Sequence, residues 1–120
     1  MIKILNIIND ETEILRLTNL ASIDNHKNSS NYTNFKDRLK DTIAFHVVYY
    51  NDEAVAFSGM YQSKKWSKKI VRICDRTFYF KKARTSGLNF INEKELKHIA
   101  STYFIPEQTK IAIEKNLIPF

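Results

Sequence analysis

The sequence predicts a mixed α/β domain in which a central, mostly antiparallel sheet is flanked by helices, in the order βααβββααβ. Three observations carry this. Runs rich in β-branched and aromatic residues cluster mid-chain, at Phe45–Tyr50, Ala54–Gln62 and Ile70–Phe80. Segments with helical spacing of apolar residues lie on both sides of them. The last apolar run, Leu117 to Phe120, is reached only across a helical segment, which favours a strand parallel to its neighbour.

Each element has a local reason. Ile2 to Ile8 reads as a first strand. Asp10 and Glu13 then form an Asp-x-x-Glu start signal, and Ile14, Leu17, Thr18 and Ala21 recur at helical spacing, so a helix runs from Glu11 to about Ile23. Asp24 to Asn31 is a polar loop, and a short helix fits Thr33 to Thr42 with Phe35, Leu39 and Ile43 on one face. Asn51-Asp52-Glu53 turns the chain between the first two central strands, and Ser63 to Lys69 turns it again.

The third central strand breaks its own alternation. Val71 and Ile73 put apolar side chains on odd positions, whereas Phe78 and Phe80 put them on even ones. Either an extra residue is inserted near Asp75 to Thr77, as a β-bulge, or the strand is buried on both faces. Beyond it, Leu88, Ile91, Leu96, Ile99, Ala100 and Tyr103 mark a helix face. Pro106 is expected to end that helix and open another, Glu107 to Lys115, with Asn116 as its stop.

At 120 residues this is one small domain, and the chain has a single cysteine, which excludes an internal disulfide and a multi-cysteine zinc site. The expected setting is a reducing cytoplasm. No apolar run reaches the ~18 residues of a membrane span, so no membrane partner is expected. No Cys/His/Asp spacing of metal type occurs, and no metal is expected. Net charge is +6 and is unevenly placed: nine basic residues against Asp75 lie between Lys64 and Arg84, a local +8 that leaves −2 for the rest. That asymmetry points to an anionic partner; a lysine-rich turn that keeps strands soluble is the plainer account of Lys64 to Lys69.

The basic region ends in Arg84-Thr85-Ser86-Gly87-Leu88-Asn89, where a strand gives way to a helix at one of only two glycines in the chain. Unpaired N–H groups and the positive dipole end of a first helical turn suit such a junction to phosphate.

The element order and this turn together resemble the GNAT N-acetyltransferase superfamily. Its pyrophosphate loop, Gln/Arg-x-x-Gly-x-Gly/Ala, is matched at Arg84 and Gly87, with Asn89 at the third fixed position. Its fourth strand carries a bulge, where this chain breaks phase. The hairpin from His46 to Gly59 is similar to its second and third strands. The resemblance implies a single GNAT-like domain over residues 1–120 that lacks the family's final helix and strands. It implies an acetyl-CoA-dependent N-acyltransferase acting on an amine, in a small molecule or a peptide. Backbone N–H groups of Thr85, Ser86, Gly87, Leu88 and Asn89 would hold the pyrophosphate with Arg84 adding charge. Tyr79, Phe80 and Lys81 would line the pantetheine arm. A sheet stopping at its fifth strand would leave an edge that a second copy of the chain could cover.

No side-chain nucleophile stands out. Asp75 is the candidate base or proton relay; the bland account makes it a partner of Arg72 and Arg76. Cys74 and His46 read as packed residues, His26 and His98 as exposed ones. Two other functions fit the residues. In a small basic nucleic-acid binder, Lys64 to Arg84 would track phosphates while Trp66, Phe78 and Tyr79 stack on bases. In an inactive GNAT-like accessory protein, the fold would serve only to bind a partner.

Overall fold

A computed structural model describes residues 2–24, 35–80 and 98–120. Its element order is β1 (Ile2–Asn6), α1 (Glu11–Asp24), α2 (Phe35–Leu39), β2 (Thr42–Tyr50), β3 (Glu53–Tyr61) and β4 (Ile70–Tyr79). A π-helical turn (Ala100–Phe104), α3 (Ile105–Glu114) and β5 (Ile118–Pro119) follow. The five strands form one sheet in the order β1-β2-β3-β4-β5. Neighbours are antiparallel except β4 and β5, which run parallel. The fold is therefore mixed α/β with a mostly antiparallel sheet.

Local chemistry sets the ends of the elements. Asp10 caps α1, its Oδ1 accepting from the Glu13 N–H at 3.1 Å. Asn51 and Asp52 both take positive φ, 47° and 67°, which suits a two-residue hairpin between paired Tyr50 and Glu53. Asn116 ends α3 at φ 55°, with Leu117 N–H bonding back to Ala112 O at 2.8 Å and Asn116 N–H to Ile113 O at 3.1 Å. These two bonds are the 6→1 and 5→2 pair of a Schellman motif.

The sheet is covered on both faces. On one face Ile14, Leu17 and Ala21 of α1 and Phe35 of α2 pack with Phe45, Val47, Phe57, Phe78 and Phe80. Their rings interlock: Phe45 and Phe57 stack at 5.1 Å, and Phe78 meets Phe80 edge-on at 5.2 Å. On the other face, Val48, Val55 and Ala56 pack with Ile99 and Phe104, and Ala44, Met60 and Val71 pack with Ala112.

One expectation needs correction. Pro106 does not separate two helices, because helical backbone continues from the π-helical turn straight into α3, with Pro106 in its first turn. Ile105 N–H bonds to Ala100 O, five residues back, and this wider turn accommodates a ring that would otherwise crowd the preceding carbonyls. Both accounts of the phase break in β4 are met. Val71 and Phe78 face opposite sides of a sheet buried on both, so the alternation needs no net shift. The strand is nonetheless irregular, and twice over. Its partners on β3 run Tyr61↔Arg72, Gly59↔Asp75 and Phe57↔Phe78, so each step inserts one extra residue in β4 and the two cancel in phase.

Candidate functional site

The site is built around those two irregularities, at Cys74 to Thr77. Cys74 and Arg76 both adopt positive φ, 53° and 54°, a conformation that side chains with a Cβ adopt reluctantly. Between them, Asp75 is 3% exposed. Such strain persists only where the surroundings over-determine it, and here three sets of contacts do so.

The first is Arg38. Its Nε bonds Asp75 Oδ2 at 2.8 Å and its Nη2 bonds Oδ1 at 2.6 Å, a two-pronged pair between α2 and β4. The guanidinium lies 3.6 Å above the centre of the Tyr61 ring. The hydrogen bond to Asp75 holds Arg38 more firmly protonated, against the opposing effect of burial. Arg72, the partner expected from its nearness in sequence, reaches only 3.9 Å and is more than half exposed. Asp75 therefore has both carboxylate oxygens committed to a cation, the geometry of an anchor.

Gln108 of α3 supplies the second set. It is fully buried, and its Oε1 accepts the Cys74 N–H at 2.7 Å. Its Nε2 lies 3.1 Å from Ser58 O and 3.3 Å from His46 Nδ1. If both Nε2 hydrogens are used in this way, His46 accepts through Nδ1 and is the neutral Nε2–H tautomer. Burial lowers the His46 pKa, with the charge of Glu107 opposing it. The third set is a hydroxyl chain: Thr77 donates to Cys74 O at 3.0 Å, and its Oγ1 lies 2.7 Å from Ser58 Oγ. The Cys74 thiol sits beside these hydroxyls, and burial raises its pKa.

Beside this segment, β5 pairs in parallel with the first residues of β4. Phe120 N–H bonds to Val71 O and Ile73 N–H to Phe120 O, each at 3.0 Å, and the next N–H, of Cys74, goes to Gln108. Farther along, Phe80 N–H bonds to Val55 O at 3.0 Å, so strand alternation turns the main chain of Tyr79 toward the β5 side of β4.

Of the residues singled out from the sequence, Lys81, Arg84, Thr85, Ser86, Gly87, Leu88 and Asn89 lie outside the described residues. Tyr79 is half-buried, on the face of Ile99 and Phe104. Phe80 has its ring in the aromatic core, so only its backbone could serve a ligand. Phe78 is 6% exposed and packed beneath α1, where it cannot stack on a base. His46 is buried and His98 exposed. Gln108 and Arg38 escaped notice. Gln108 had a signal: it stands on the same helical stripe as Phe104, Ile111 and Ala112, a polar side chain in an apolar row. Arg38 had none, being 37 residues from its partner.

Among the described residues, no cluster of three His, Cys, Asp or Glu side chains could hold a metal ion, and no helix is long and apolar enough to cross a membrane. No protein-family model matches the chain, and no curated protein matches it in sequence.

Proposed function

We propose that the chain is an acetyl-CoA-binding N-acyltransferase of GNAT type, transferring an acetyl group to an amine. The observation that carries this reading is a doubly bulged β4 lying beside a parallel β5. The Tyr79 main chain faces the β5 side of β4, where an extended amide-containing ligand arm could pair with it as a strand does. The resemblance in element order and at Arg84 and Gly87 adds to it.

In this reading acetyl-CoA supplies an activated thioester. The N–C bond forms as the C–S bond breaks, the sulfur leaves as thiolate, and the amine proton passes to water or a base. The chain's own part is electrostatic and positional. N–H groups of the bulged strand stabilise charge developing on the carbonyl oxygen, and Arg84 with the backbone of Thr85 to Asn89 holds the pyrophosphate. Asp75, held by Arg38, keeps the bulge in shape, and water takes the place of a side-chain base.

The test is thermal unfolding of the chain with and without acetyl-CoA. At a hundredfold excess over Kd, ligand stabilises by about 2.7 kcal/mol, a rise of several degrees in melting temperature. Arg84→Glu and Gly87→Val should each abolish the rise while leaving the unliganded melt in place. No rise for the unmodified chain at millimolar ligand overturns the proposal.

A further inference from the structure

The lysines of the β3–β4 turn take no part in that chemistry, which lies toward the opposite end of β4. Their turn is well stitched for a solvated tip. Trp66 N–H bonds Ser63 O and Ile70 N–H bonds Ser67 O, both at 3.1 Å. The Ser63 and Ser67 hydroxyl oxygens accept from Lys65 N–H at 3.2 Å and Lys69 N–H at 3.3 Å, and Gln62 Nε2 donates to Lys68 O at 2.8 Å. Such bonding holds charged side chains on fixed stems.

Against this turn lies a cleft of about 630 Å³ whose walls include Lys40, Ile43, Gln62, Lys64, Trp66 and Lys68. All three lysines are exposed, and among the described residues Asp41 is the single acidic one lining the space. Trp66 is half-buried and set edge-on against Tyr61, with ring centres 5.6 Å apart and planes at 82°.

We propose that this cleft binds single-stranded nucleic acid, independently of the acetyl-CoA reading. Three ammonium groups around one concavity suit successive phosphates, and an indole braced edge-on by two rings, Tyr61 and Phe120, suits an unstacked base. An acidic polypeptide would use the cations and leave the indole idle, so the aromatic wall selects the nucleic acid. Of the stacking set read from the sequence, Trp66 is the member placed to act, since Phe78 is in the core.

The chain has one tryptophan, so its fluorescence reports on the cleft directly. Titrating the full chain with an oligothymidylate of about 12 nucleotides should quench that emission. Affinity should fall with salt at a log–log slope of about −2, as three phosphate contacts on a single strand imply. Reversing Lys64→Glu together with Lys68→Glu should weaken binding at least ~10-fold, by loss of two of those contacts, without moving the melting temperature. Trp66→Leu should weaken binding measured by anisotropy, and Trp66→Phe should restore part of it. Stabilisation by acetyl-CoA should be the same in the lysine double variant as in the unmodified chain. The proposal is overturned by absent quenching, by quenching indifferent to the double reversal, or by equal or tighter binding of polyglutamate or of a duplex of the same length.

Discussion

Arg38 grips both carboxylate oxygens of Asp75, and this one pair ties α2 to the strand whose register is broken. The Asp75 side chain is only 4% exposed and that of Arg38 21%, so the carboxylate has little water to turn to if Arg38 is lost. Removing one partner leaves the other charge stranded. Arg38→Ala should cost about 3 kcal/mol in urea unfolding, and Arg38→Met with Asp75→Leu should recover much of that. Equal losses in the single and double variants would mean that the pair is not coupled.

Gln108 does for the other face what Arg38 does for the first. Gln108→Leu matches its size but leaves the Cys74 N–H and Ser58 carbonyl without their partner, which should cost about 2 kcal/mol. Gln108→Glu keeps the acceptor and loses the donor, and it buries an acid beside the Ser58 carbonyl. It should unfold at lower urea than Gln108→Leu near neutral pH, and the difference should shrink as the new carboxyl is protonated. Urea titrations at two pH values read both effects.

His46 gives the fold a dependence on pH. Burial lowers its pKa below the ordinary 6.5, so below that value the unfolded chain binds a proton that the folded one resists. Stability is therefore full above pH 6.5 and declines as pH falls toward the depressed folded value. Nearby Glu107 partly offsets the effect. Melting temperature should fall between pH 7 and about 5, and His46→Asn should flatten that slope while melting lower at pH 7.

Asn116 takes a left-handed conformation that glycine adopts without strain. Asn116→Gly should leave stability unchanged or raise it by a few tenths of a kcal/mol, and Asn116→Val should lower it by about 1 to 2 kcal/mol. Thermal unfolding of the two variants checks the sign of each change.

The α1 start, the Asn51-Asp52 turn and the Asn116 stop were legible because each is decided within a few residues of chain. The parallel placement of β5 was legible too, since only a crossover connects it to β4. The reading of β4 offered an irregularity near Asp75 to Thr77 or burial on both faces, and the strand has both. Val71 and Phe78 serve opposite faces of the sheet, and two insertions that cancel in phase leave no trace in alternation. Nearness in sequence found Arg72, 3.9 Å from Asp75, and missed the closer Arg38.

What the residues determined unaided were the strands and their order, the start of α1 and the concentration of positive charge, because capping, periodicity and composition are properties of short stretches. Tertiary structure alone decided that Arg38 and Gln108 meet β4 from opposite faces at Cys74 and Asp75. It also decided that Phe78 is core while Trp66 lines a cleft. Those outcomes depend on which distant surfaces pack together, and burial takes hold only once the sheet is covered on both sides.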